Sequence, residues 1–200
     1  MKIIGITGGV GAGKSTVLDI LKKLSICEIA MADDVAKELM QYGRELSTLA
    51  ISIFGEESYN KDKILNTAHI AQLMYENENL KKQWTNAVHP AVKKEILNRI
   101  DNAKQKGNLE FFFIEAALLL EDGYDLICDE IWYIYAPEDI RIKRIMDSRG
   151  YSLSKSQSII SSQKKHEEFI SKCDFTIDNG ISIENTQVQL QNKLEEIRLM

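Results

Sequence analysis

Gly8-Gly9-Val10-Gly11-Ala12-Gly13-Lys14-Ser15-Thr16 is the stretch that decides the fold. Gly8, Gly13, Lys14 and Ser15 stand at the spacing of a phosphate-binding loop: Gly, four residues, Gly-Lys, then Ser or Thr. Upstream, Lys2-Ile3-Ile4-Gly5-Ile6 is a short apolar run rich in β-branched residues, which predicts a buried strand. Downstream, Val17, Leu18, Leu21 and Leu24 recur at helical spacing, which predicts a helix opening at Lys14. Strand, glycine loop and helix is the context in which the pattern has mechanical meaning. A flexible turn would need neither the Lys nor the Ser.

The chemistry follows from that geometry. Glycines let successive N–H groups converge on a phosphate, and the helix N-terminus adds partial positive charge at the same point. Gly9, Gly11, Ala12, Gly13, Lys14, Ser15 and Thr16 are therefore the expected ATP contacts. Lys14 reaches the β- and γ-phosphates, and the Ser15 hydroxyl is the expected ligand of Mg²⁺. The loop predicts a protein that binds a nucleoside triphosphate with magnesium.

Two hundred residues with 44% apolar content suit a single α/β domain with small insertions. A formal net charge of −5 argues against a nucleic-acid partner, which would favour a basic surface. An anionic substrate must then be held by local cations and backbone amides. Cys27, Cys128 and Cys173 are far apart and show no Cys-x-x-Cys spacing, as expected of reduced thiols in a cytoplasmic protein. No signal segment precedes the first strand and no apolar run is long enough for a membrane helix, so no membrane association is expected.

Further strands are predicted at Cys27–Met31, Glu110–Ile114, Glu130–Tyr135 and Phe175–Ile177. Alternation with helices implies a five-stranded parallel sheet flanked by helices, with its site beyond the carboxyl ends of the strands. Residues 34–108 read almost wholly as helices, including a long pattern through Trp84, Val88, Val92, Ile96 and Ile100. A crossover needs only about a dozen residues, so this insertion is expected to bind the second substrate. Pro137, Glu138 and Asp139 predict a helix start, and that helix carries Arg141, Lys143, Arg144 and Arg149 before Gly150. Ser154-Lys155-Ser156-Gln157 has capping-box spacing and predicts the start of the next helix. The arginine-bearing hairpin predicts a closing lid. The expected division is a core of 1–33, 109–136 and 172–200, an acceptor-binding insertion of 34–108 and a lid of 137–171.

Asn60-Lys61-Asp62-Lys63 misses the guanine signature by one position. Phe111–Ile114 followed by Glu115 fits an apolar strand ending in a carboxylate, which keeps a hydrolase or nucleotide switch as an alternative. The insertion, the hairpin and the small size favour a small-molecule kinase, with a nucleoside or nucleotide kinase as the neighbouring reading. Asp33, at the end of the second strand, fits a catalytic base for an acceptor hydroxyl, while Asp33 or Asp34 fits equally well as a helix cap. His89 before Pro90 reads as a corner between helices. On residue chemistry alone, Arg141, Lys143 and Arg144 fit a solvated helix face, and Arg149 at the hinge is the stronger candidate for the phosphates.

The chain resembles the dephospho-CoA kinase family. Ile6–Thr16 is similar to its phosphate loop and Ala32–Leu39 to its Asp-Ala-Asp motif. His89-Pro90 resembles its His-Pro pair, Leu118–Glu121 its Leu-Leu-x-Glu, Gln163 its lid glutamine, and Ile177–Gly180 its Ile-x-Asn. These motifs stand in family order over nearly the whole chain. The resemblance implies transfer of the ATP γ-phosphate to the ribose 3′-hydroxyl of dephospho-CoA. It implies Asp33 as base, Lys14 and Ser15 as phosphate and Mg²⁺ contacts, and Asp33, His89 and Glu121 at the acceptor. Arg144 and Arg149 would neutralise the transferring group. A monomer or weak homo-oligomer is expected. The chain departs from the family at Met31, in place of the first Asp, at Lys37, in place of Arg, and at Ala116-Ala117, where the family often has Pro. Its lid arginines are five apart rather than four.

Overall fold

The structure, a computed structural model, describes residues 1–199. Five strands form one sheet: β1 (Lys2–Thr7), β2 (Cys27–Met31), β3 (Phe111–Glu115), β4 (Glu130–Tyr135) and β5 (Phe175–Asp178), in the spatial order β2-β3-β1-β4-β5. β1 pairs parallel with β3 and with β4, and β4 with β5. The expected sheet is present, with strand ends shifted by a single residue at β1, β3 and β5. In register, Ile6 lies opposite Glu115 on one side and Trp132 on the other. Ile4, Ile6, Phe112, Phe113, Ile114, Trp132, Ile134 and Ile177 are fully buried, the pattern of a sheet covered on both faces.

The helices are α1 (Lys14–Leu24), α2 (Ala32–Leu39), α3 (Glu45–Phe54), α4 (Thr67–Glu76), α5 (Glu78–Lys106), α6 (Glu138–Arg149), α7 (Leu153–Ser161), α8 (His166–Ile170) and α9 (Ile183–Leu199). The chain divides into two compact units, Met1–Ile29 with Ala103–Met200, and Ala30–Asn102. The second unit, Ala30–Asn102, overlaps most of the stretch 34–108, and residues 137–171 lie in the first.

The first unit holds the sheet. Leu190, Leu194 and Ile197 of α9 are buried along one stripe, as their spacing predicts. Gly150, at φ +64, ends α6. The next cap is Ser152 and not Ser154: the Ser152 side chain accepts from the Lys155 N–H, so α7 starts earlier than the capping-box spacing predicts. The chain is already extended at Ser152 (φ −67, ψ 160), the backbone geometry of an N-cap.

In the second unit, Phe54 and Trp84 meet edge to face at 5.3 Å. The Tyr59 hydroxyl donates to the Met40 carbonyl at 2.6 Å, and Arg99 of α5 bonds Glu38 of α2 and Glu95 one turn back. No corner forms at His89: α5 runs 29 residues with Pro90 inside it. Trp84, Val88, Val92, Ile96 and Ile100, four residues apart, are all buried. That unbroken apolar stripe outweighs the local cost of a proline, whose ring lies at the exposed face.

Candidate functional site

The phosphate loop joins β1 to α1. Gly11 (φ +80) and Gly13 (φ +88) are both left-handed, and the Ala12 N–H closes a turn onto the Gly9 carbonyl at 3.1 Å. Gly13 is the N-cap of α1 and no side chain caps that helix, so its first N–H groups face the loop as anion donors. Lys14 Nζ donates to the Gly8 carbonyl at 2.9 Å and lies 3.5 Å from Glu115 Oε1. Glu115 is buried at the end of β3, beside the last residues of β1. The sequence pattern admits Glu115 as a hydrolase carboxylate; the structure sets it as a counter-charge of the loop lysine. Ser15 lies exposed in the first turn of α1.

Four residues from the carboxyl half of the chain hold the loop. Arg141 Nε donates to the Val10 carbonyl at 2.9 Å, and Arg141 Nη2 bonds Gln163 Oε1. The same Gln163 oxygen accepts from the Val10 N–H at 3.1 Å, so both polar groups of Val10 are engaged. Arg144 Nη1 reaches the Gly11 and Ala12 carbonyls at 3.4 and 3.3 Å, and its Nη2 donates to the Asn179 carbonyl at 2.8 Å. Asn179, which follows β5, is 4% exposed and donates its amide to the Ala12 carbonyl at 2.8 Å. Its side-chain oxygen accepts from the Thr186 hydroxyl at 2.9 Å.

Arg141 and Arg144 thus leave the solvated face on which their residue chemistry placed them, whereas Lys143 does lie exposed. Arg149 is exposed in the last turn of α6, and the structure does not bring it to the loop. Burial lowers the pKa of Arg141, with Tyr133 and Glu138 acting the other way. Burial pushes the Tyr133 phenol up to about 12, and Arg141 partly opposes that rise. Residue chemistry alone does not bring Arg141, Arg144, Gln163 or Asn179 to the loop. The signal in the sequence is the resemblance, which marks Arg144, Gln163 and the Ile177–Gly180 segment.

Glu121 follows β3 and pairs with Lys164, the residue after Gln163. Burial pushes the Glu121 carboxyl up, but the bond from Lys164 and its charge outweigh that push and hold it below the usual range. Gln163 and Lys164 therefore reach, as chain neighbours, the phosphate loop and the segment beyond β3.

In the second unit, Asp33 and Asp34 occupy the first turn of α2, directly after β2. Neither is the cap: that position is Met31, with no side-chain bond. Asp34 is taken by Lys37 at 2.7 Å, while Asp33 is exposed. His89 lies half-buried inside α5.

The chain's likeness to known proteins covers almost its whole length. A family model described as dephospho-CoA kinase matches residues 2–185. The dephospho-CoA kinase of Carboxydothermus hydrogenoformans is 32% identical over 196 residues, spanning 98% of this chain and 94% of that protein. A solved dephospho-CoA kinase from Campylobacter jejuni superposes with a TM-score of 0.73 at 25% identity, over 98% of this chain and 96% of that one. A solved structure from Thermus thermophilus, at 24% identity and a TM-score of 0.79, covers 98% and 97% and shows the same fold.

Proposed function

The chain belongs to the dephospho-CoA kinase family, and on that premise we propose that it transfers the γ-phosphate of ATP to the ribose 3′-hydroxyl of dephospho-CoA, giving coenzyme A and ADP. This is the final step of coenzyme A synthesis. The observation that carries the reading is the loop itself: an uncapped helix start with Lys14 beside it, set in a chain that matches the family over residues 2–185.

Phosphoryl transfer asks the protein mainly for position and charge. In this reading the loop amides from Gly9 to Thr16 hold the β- and γ-phosphates. Lys14, kept in place by the Gly8 carbonyl and Glu115, offsets charge on the transferring group, and Arg144 adds a second cation from α6. Asp33 takes the proton of the acceptor hydroxyl as its oxygen attacks phosphorus and the bond to ADP breaks. His89 and Glu121 bind the acceptor.

A magnesium ion fits the donor set. The exposed Ser15 hydroxyl and the Glu115 carboxylate are hard oxygen donors near the phosphates, and Mg²⁺ is commonly held by one or two such groups plus substrate phosphates. When bound, the ion supplies charge neutralisation at the phosphate oxygens. The reading includes a cytoplasmic protein, monomeric or weakly self-associating, with no nucleic-acid partner. Among the described residues no helix is long and apolar enough to cross a membrane.

The test is incubation with ATP, Mg²⁺ and dephospho-CoA. Coenzyme A and ADP are expected in equal amounts; folded protein that makes no coenzyme A overturns the reading, and an acceptor screen by ADP release then finds the true substrate.

A further inference from the structure

We propose that Arg141 is a further catalytic residue, whose guanidinium contacts the triphosphate of the nucleotide, and that Gln163 is the positioning residue that aims it. The proposal rests on the reading of the loop as an ATP site and adds a contact that the loop motif does not contain.

Arg141 lies against the loop along its whole length. A Cβ on Gly9 would collide with the guanidinium, and one on Gly11 would stand 2.7 Å from the Arg141 carbonyl. Those two glycines make room for the arginine as well as for a phosphate. Three of the four atoms that define the fork are fixed or crowded: Nε by the Val10 carbonyl, Nη2 by Gln163, and Cζ against Gly9. Nη1 has no hydrogen-bond partner among the described residues.

Arg141 is half-buried, and its partners, a carbonyl and an amide oxygen, are neutral. No ion pair to it forms among the described residues, and Glu138, one turn back, acts only at a distance. A cation drawn out of water needs an anion or strong hydrogen bonds around it. The loop at its side is built to receive several negative charges, and a planar guanidinium with one free edge is suited to phosphate oxygens. Gln163 supplies orientation without neutralising the charge; a carboxylate at that position would take the ion pair for itself.

The experiment is titration calorimetry of the full chain with Mg·ATP and, separately, with inorganic tripolyphosphate, both without acceptor. Arg141→Gln is expected to weaken both ligands by roughly ten- to a hundredfold, the range for hydrogen bonds to a charged group. Arg141→Lys, which keeps the charge, is expected to recover part of that loss, and the thermal midpoint of the unliganded protein is expected to fall by no more than the few degrees that a lost hydrogen bond costs. Gln163→Leu leaves every charge in place and removes the oxygen that accepts from both Arg141 Nη2 and the Val10 N–H; a smaller loss for both ligands is expected. Unchanged affinities in either Arg141→Gln or Gln163→Leu, or a lysine variant as damaged as the glutamine one, overturn the assignment. A protein that binds ATP tightly yet makes no coenzyme A would sink the reading of the previous section and leave this one standing.

Discussion

Asn179 donates its side-chain amide to the Ala12 carbonyl at 2.8 Å, from 167 residues further along the chain. The contact is so close that a Cβ on Gly13 would strike the amide nitrogen. Asn179 is buried, and its oxygen serves the equally buried Thr186 hydroxyl. Replacing Asn179 with Ala leaves the Ala12 carbonyl to Arg144 and the Thr186 hydroxyl to the Ser182 carbonyl. The expected cost is about 0.5–1.5 kcal/mol of folding stability for each bond lost, together with weaker ATP binding because the loop loses a brace. Denaturant unfolding and ATP titration measure the two effects, and wild-type values in both would show that the brace is dispensable.

Asp33 heads α2 without capping it and, among the described residues, forms no ion pair like the one Lys37 gives Asp34. A base that acts on the acceptor proton contributes to the transition state and little to nucleotide binding. Asp33→Asn is therefore expected to lower kcat by roughly 10²–10⁴-fold with ATP affinity preserved. Loss of both in equal measure would assign Asp33 to structure instead.

The two arginines of α6 suggested for the transferring phosphate differ in position. Arg144 reaches the Gly11 and Ala12 carbonyls, whereas Arg149 sits in the exposed last turn. Arg144→Ala is expected to reduce kcat toward the roughly 10³-fold effect of a lost phosphate-stabilising arginine. Arg149→Ala is expected to change it far less. Steady-state rates with both variants decide, and the reverse ranking would mean that the lid must move to bring Arg149 inward.

The Glu121–Lys164 pair gives a pH signature. Glu121 has a folded pKa below its ordinary value of about 4.3, so its contribution is present above that value and disappears as pH falls through the folded pKa. Both side chains are partly exposed, at 40% and 28%, which limits the effect to about 1 kcal/mol or less. Wild type is expected to be slightly more stable than Glu121→Gln at pH 7, with the gap closing below about pH 4. A gap that persists in acid would point to packing rather than charge.

What could be read in the residues was what is local. Gly8 to Thr16 carries its chemistry in its own spacing, and the strand–loop–helix frame around it follows from short-range periodicity. The stripe from Trp84 to Ile100 was equally plain, but the effect of Pro90 was not: local sterics predict a break, and burial of the stripe across it overrides them. Capping-box spacing points to Ser154 although the cap is Ser152, because the spacing reports residue types while the cap depends on where Gly150 turns the chain. Arg141 was misjudged for a different reason. An arginine on an amphipathic helix looks the same whether it faces solvent or a loop 131 residues away, and only the packing of α6 distinguishes the two.

The loop precedes its braces by 131 to 167 residues. Val10 is gripped from Arg141 and Gln163, and Ala12 from Arg144 and Asn179. A ribosome therefore releases the nucleotide cradle before its scaffolding, which is complete only after β5 has emerged. Any fragment that stops short of β5 lacks the Asn179 brace on Ala12, so a half-made enzyme would hold ATP without its full framework.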